Sequence, residues 1–118
     1  MWQRVLGGIS GAFSVATGAY ATHGLKDKEE PYAKVFETGS RYQLVHSAML
    51  AATPAICGSS SNRAGRIAGA CFTTGIILFS GSCYAVGLTE DRSNGKLAPV
   101  GGFGLIAGWL SLALFRGR

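Results

Sequence analysis

A chain of 118 residues has room for one domain or one membrane bundle. Only 14% of it is charged and 47% is hydrophobic, and its 18 glycines are about twice the usual share of ~7%. That balance excludes disorder and collagen. The three cysteines, with no paired spacing, exclude a disulfide scaffold and a zinc knuckle.

The few charges cluster and leave residues 5–25, 42–62, 67–89 and 97–115 free of Lys, Arg, Asp and Glu. A helix rises ~1.5 Å per residue, so about 20 residues cross a ~30 Å hydrocarbon core. Soluble helices of that length need a polar stripe, which these stretches lack. The sequence therefore predicts an all-α, integral membrane four-helix bundle. Its spans are expected at about 5–25, 42–60, 67–89 and 97–115, in a single domain over residues 1–118.

The first stretch follows Arg4 as a signal peptide would, but its glycine content and the three spans after it predict a retained helix. Small residues recur every four positions on two of its faces, Gly8-Ala12-Ala16 and Ser10-Ser14-Gly18-Thr22, and Gly11 lies between them. Close packing through such residues is what associates helices in lipid, so neighbours are expected on both sides. In the polar segment that follows, Glu29 and Glu30 precede Pro31, and Tyr32, Val35 and Phe36 share a helical face. That pattern predicts a short amphipathic helix at the membrane surface between the first two spans, ending near Gly39.

Span two opens with Tyr42, Gln43 and His46 and contains Pro54, which is expected to kink it. A small polar link over residues 58–62 leads to span three. There Gly65 and Gly69 are expected packing positions, and Ser80, Ser82 and Tyr84 form a hydroxyl-rich run. Cys57, Cys71 and Cys83 read as buried small residues. Ser93-Asn94-Gly95 is turn chemistry. Span four carries Gly101, Gly102, Gly104 and Gly108 for packing, and Trp109 as a core or boundary anchor.

Four spans put both termini on one side, with Arg4, Arg63, Arg66, Arg116 and Arg118 and no acid. The purely basic side is expected to be the inner face. Arg63, Arg66, Arg116 and Arg118 there suggest a pocket for lipid head groups, cardiolipin among them. The net charge of +5 is a membrane-surface feature, and no basic helix face interleaved with aromatics points to nucleic acid.

Polar groups inside a membrane are functional hypotheses by default. His23 closes span one and His46 opens span two, so both are expected at similar, shallow depth. Together with Tyr42, Gln43, Ser80, Ser82 and Tyr84 they form a candidate polar cluster pinning the helices. Ligation of haem or another metal by His23 and His46 is an alternative, though no third ligand is visible. No acid lies within a span and no G-x-S-x-G elbow is present, so no catalytic residue, cofactor or resident metal is expected.

Several blocks resemble a known family. They are Gly18-Ala-Tyr-Ala-Thr-His-Gly-Leu25, Phe36-Glu-Thr-Gly-Ser-Arg-Tyr-Gln-Leu-Val-His46, Leu78-Phe-Ser-Gly-Ser-Cys-Tyr84, and Pro99-Val-Gly-Gly102 with Gly108-Trp109. They are similar, in order and over nearly the whole chain, to the domain-of-unknown-function 423 family of small membrane proteins, which has bacterial and eukaryotic members. The first block departs at Ala21 and Thr22, where Gly and Ala are the family pattern. The resemblance implies a multi-pass inner-membrane protein and supplies no catalytic residues. The expected function is a non-catalytic structural or accessory subunit of a larger complex, such as a respiratory-chain complex, with lipids and other membrane subunits as partners. A small transporter or channel is the alternative. The expected location is the mitochondrial inner membrane, with the bacterial inner membrane as the alternative.

Overall fold

The computed structural model describes residues 2–24, 32–57 and 63–114, and they are helical apart from short connections, with no strand among them. Helix α1 runs Trp2–Gly24 and α2 runs Tyr32–Cys57. The third rod is Arg63–Thr89, built from α3 (Arg63–Gly75), a π-helical turn (Ile76–Ser80) and α4 (Gly81–Thr89). A 3-10 turn, Arg92–Gly95, leads into α5, Ala98–Ala113, with Pro99 in its first turn. The four rods are the expected all-α membrane bundle. α1 seats mainly on α2, α2 packs on the third rod, and α5 lies on α3 and the π turn.

Two rods, Arg63–Thr89 and Arg92–Ala113, are long and apolar enough to cross a membrane. Helices α1 and α2 have the length, at 23 and 26 residues, but carry Gly, Ser, Thr and amide groups that lower their hydropathy. Those polar residues face inward. Gln3, Ser14, Thr17, Ser40, Gln43, Ser47 and Thr53 are buried, while Val5, Ile9, Phe13, Val15, Leu44 and Val45 are exposed to lipid. This inversion of the soluble pattern is what a bilayer selects, because lipid cannot satisfy hydroxyls and amides.

The surface helix expected to end at Gly39 does not stop there. Helix α2 continues unbroken from Tyr32 through Gly39 to Cys57, and the proposed start at Glu29, Glu30 and Pro31 lies outside the described residues. Gly39 is a contact point and not a terminator, since a Cβ added to it would stand 2.6 Å from the Cys83 Cβ. The Tyr32-Val35-Phe36 face packs on neighbours instead of lying on the membrane. Phe36 is buried, with its ring 4.8 Å from that of Tyr84 and 5.7 Å from that of Tyr20.

Glycine sets the helix spacing, though only partly at the expected positions. Gly69 abuts Gln3, Gly108 abuts Phe72, Gly104 meets Gly75 backbone, and Gly18 lies against the Ser40 hydroxyl. Gly65 is buried and its carbonyl accepts from Gln3. Gly11 makes only ordinary contact with Ser47, and Gly8 faces open space. The Gly8-Ala12-Ala16 line is thus exposed, and α1 has its helix neighbours on the Gly7-Ser14-Thr17 side. Gly7, Gly39, Gly75 and Gly87 are tight contacts that the sequence did not single out, while Gly101 is one that it did. Gly101 backs directly onto the Leu78–Phe79 backbone, so α5 crosses hard against the π turn. Leu50, Ala68, Phe72, Ile76 and Leu105 form the apolar core between α2, the third rod and α5. Cys57 and Cys83 are buried and Cys71 half-buried, as small core residues are.

At the loop end, Glu90 closes α4 in the left-handed conformation, and its N–H bonds the Val86 carbonyl at 2.8 Å. Asp91 then caps the 3-10 turn, accepting from the Ser93 N–H at 2.9 Å and the Ser93 hydroxyl at 2.7 Å. The turn expected at Ser93-Asn94-Gly95 is this 3-10 element.

Candidate functional site

Antiparallel packing of α1 on α2 lines up two rows of small polar residues. The Ser47 hydroxyl donates to the Ser10 hydroxyl at 2.6 Å. The Gln43 amide donates to the Ser10 hydroxyl at 3.0 Å and to the Ser10 carbonyl at 3.1 Å. The Tyr84 hydroxyl, reaching from α4, donates to Gln43 Oε1. The Thr17 and Tyr84 hydroxyls are 3.1 Å apart, and Thr17 also lies 3.1 Å from the Ser40 hydroxyl. Ser40 donates to the Ser14 carbonyl at 2.9 Å. A continuous hydrogen-bonded seam therefore runs Ser47, Ser10, Gln43, Tyr84, Thr17, Ser40 across three helices.

Proton counting limits that seam. Gln43 Oε1 can only accept, so the Tyr84 proton is committed to it, and the Ser40 proton is committed to Ser14. Thr17 is left with one proton for three acceptors: the Ser14 carbonyl at 3.0 Å, the Ser40 hydroxyl and the Tyr84 hydroxyl. At the other end of the seam the Ser10 hydroxyl accepts from Gln43 and Ser47 and keeps its own proton to donate.

It also sits deep. Ser10, Ser14 and Thr17 flank the middle of α1, so the seam lies about half-way along that helix. A groove between α1 and the third rod opens over it. One part, of ≈310 Å³, is lined by Ser10, Phe13, Gln43, Ile77, Ser80 and Tyr84. Its continuation, of ≈300 Å³, is lined by Phe13, Thr17, Tyr20, Phe36, Tyr84 and Leu88. The rim residues Phe13 and Ile77 are 55% and 64% exposed, so the groove faces lipid. The π turn Ile76–Ser80 forms one wall, and such turns recur at functional sites.

The expected polar cluster is divided by the structure. Gln43 and Tyr84 belong to the seam. Ser80 donates to the Gly39 carbonyl at 2.8 Å, joining the third rod to α2. Ser82 lines a separate cavity near the 90–96 connection. Tyr42 is half-exposed, stacked on His46 and tilted against Phe79. His46 is buried on the other side of α2. Its Nε2 accepts from the Trp109 indole at 2.9 Å, and its Nδ1 lies 2.7 Å from the Tyr42 carbonyl. An indole N–H only donates, so Nε2 is bare, Nδ1 carries the proton, and the ring is neutral.

His23 is exposed near the end of α1. His46 is level with Gly11, whose neighbour is Ser47, so the histidines are separated by about 18 Å along the bundle, at ~1.5 Å per residue. The two are not at one depth, because α2 starts ten residues earlier than the charge gap implied, which carries His46 to mid-helix. They cannot share a haem, and both His46 nitrogens are already engaged. Among the described residues no three His, Cys, Asp or Glu side chains gather to hold a metal ion.

Sequence reasoning missed Ser10, Ser14, Thr17, Ser40 and Ser47 as site residues, although the Ser10-Ser14-Gly18 spacing marked that face of α1. It also missed Gln3, fully buried, whose amide donates to the Gly65 carbonyl at 2.7 Å while its Oε1 has no partner. Of the basic lipid-head-group set, Arg63 and Arg66 are exposed at the start of α3, and Arg116 and Arg118 lie outside the described residues.

Inward-facing hydroxyls, lipid-facing aliphatics and two membrane-length apolar rods define a multi-pass α-helical membrane protein. The chain belongs to the family described as "Protein of unknown function (DUF423)", whose profile matches residues 17–102. It is 37% identical over 111 residues to UPF0382 membrane protein SSP2132 of Staphylococcus saprophyticus, covering 93% of this chain and 92% of that one. It is also 37% identical to a UPF0382 membrane protein of Haemophilus influenzae, over 89% of this chain and 85% of the relative. With UPF0382 membrane protein YwdK of Bacillus subtilis it shares 31% identity, over 93% and 91% of the two chains. No solved structure matches. These relatives are bacterial membrane proteins, so the bacterial inner membrane fits better than the mitochondrial one expected from the sequence, and a respiratory-chain assignment has no support from them.

Proposed function

We propose that this chain is a non-catalytic accessory subunit of the bacterial type of inner membrane, built to seat a transmembrane helix of another protein. One observation carries the reading: a lipid-facing groove half-way along α1 is floored by hydroxyl and amide groups of the three-helix hydrogen-bonded seam. Acyl chains offer such groups no hydrogen bond, whereas a helix bearing Ser, Thr or Asn does. The exposed Gly8-Ala12-Ala16 line adds a second close-packing surface on the same helix. The histidines bring no reactive pair to the groove, and among the described residues that line it there is no carboxylate.

A photo-crosslinker placed at Ile77, in native membranes, tests this. The expected product is a discrete adduct with another membrane polypeptide, absent when the crosslinker is moved to Phe103 on the far face of α5. Adducts with lipid alone, together with a chain that migrates singly in mild detergent, would overturn the proposal.

The depth of the seam also favours a second reading, as a small transporter, since polar groups near the midplane are where substrates bind. Flux of small polar solutes into proteoliposomes, abolished by Gln43→Leu, would select that reading over the first.

A further inference from the structure

We infer that a cavity under the 90–96 connection is a seat for an anionic membrane lipid, with the lipid phosphate on Arg92 and the end of an acyl chain inside. The cavity holds ≈250 Å³ between the first turn of α2, the face of α4 and the start of α5. That exceeds a 150 Å³ apolar cavity, which is already large enough for a benzene-sized guest. Val35, Val86 and Ala98 supply apolar lining, and Tyr32, Ser82 and Arg92 are the polar residues that line it with them. A cation beside an apolar lining, at the start of the membrane-length Arg92–Ala113 rod, matches the head and tail of a lipid.

Arg92 is available for that role. The adjacent Asp91 carboxylate is occupied by the Ser93 N–H and hydroxyl. The ion pair described at this end of the molecule is Arg41–Glu37, at 3.7 Å, and Arg92 enters none among the described residues. A guanidinium fork fits phosphate oxygens, and a lipid without a compensating ammonium adds net attraction. Free phosphate would satisfy Arg92 alone. The apolar slot behind it selects the lipid form. The site lies at the opposite end of the third rod from Arg63 and Arg66, so it is distinct from the basic pocket expected on the terminal side.

The full chain in nanodiscs of phosphatidylcholine with a minority of phosphatidylglycerol provides the test. Native mass spectrometry is expected to show phosphatidylglycerol retained in preference to phosphatidylcholine. Arg92→Gln should lower that preference about fivefold, the worth of one basic residue near a membrane surface. Ala98→Phe, which fills the slot and leaves Arg92 in place, should lower it as well. Phosphatidylglycerol with a photoreactive acyl end should label Val35 or Val86. Circular dichroism checks that each variant is folded, and Ala98→Leu replaces Ala98→Phe if the larger ring unfolds the chain. Wild-type preference in Arg92→Gln, displacement of the lipid by inorganic phosphate alone, or labelling confined to the outer face of α5 would each overturn the inference.

Discussion

On the α1 side of α2, Ser10, Thr17, Gln43 and Ser47 meet through hydroxyls and an amide. On the α5 side, Phe72 and Trp109 meet edge to face at 5.7 Å, beside His46 and the Leu50–Ile76–Leu105 core. The first region is polar, shallowly filled and open to a groove. The second is apolar and close-packed, and the hydrogen bond from Trp109 to His46 orients two of its rings. Inter-helix hydrogen bonds in membranes are worth about 0.6 kcal/mol each, whereas a large core side chain is worth about 3–5 kcal/mol. The aromatic side therefore carries most of the stability, and the polar side fixes register and leaves a surface for something else.

The comparison breaks most readily at the aromatic core. Phe72→Ala should cost about 3–5 kcal/mol of unfolding free energy in detergent, because Phe72 is fully buried and contacts Gly108 and Trp109. A loss below 1 kcal/mol would remove the distinction between the two sides. Gly101→Val should cost about 1–3 kcal/mol, since its side chain would drive into the Leu78–Phe79 backbone. Gly8→Val is the matched control, at a position with nothing within 4 Å, and should stay within about 0.5 kcal/mol of wild type.

On the polar side the expected effect is smaller. A double-mutant cycle of Tyr84→Phe and Gln43→Leu should give a coupling of about 0.6 kcal/mol. Coupling of several kcal/mol would mean that the seam, and not the core, holds the bundle.

The smallest effect lies outside the membrane. Hydrogen bonds from the Ser93 hydroxyl, then from its N–H, hold the Asp91 carboxyl below the usual carboxylate range. A depressed folded-state pKa means the cap is fully present above the unfolded value of about 4 and is lost as pH falls through the lower, folded value. Amide exchange at Ser93 should therefore quicken only in that acid window. Asp91→Asn should abolish the pH dependence without altering the polar seam.

These two regions were unequally legible. Trp109, Gly104 and Gly108 could be assigned to packing because each lies in a strongly apolar run with a small-residue period. The groove could not be foreseen, because it depends on how far α1 stands from the third rod, and no local pattern encodes that distance. The seam was half visible. Gln43 and Tyr84 stood out as polar groups in apolar surroundings, but Thr17 and Ser40 are as easily satisfied by their own helix backbone, so only their facing positions reveal the bond between them. The depth of the histidines is not legible because the end of a charge cluster does not mark the start of span two. Lys34, Glu37 and Arg41 lie in the first turns of α2, with Arg41 and Glu37 paired on its exposed side, so the helix starts well before the charge-free run.

The sequence by itself determined that this chain folds as apolar helical rods in a membrane, because runs of about 20 residues without charge have no other low-energy solvent. It also determined family membership, through blocks that keep their order along the chain. Tertiary structure alone decided which face of each rod turns inward, that His46 meets Trp109 and not His23, and that a hydroxyl-floored groove is left open. Those outcomes follow from helix register and crossing, which are set by the few positions where glycine lets one backbone touch another, and a linear pattern cannot show which small residues those are.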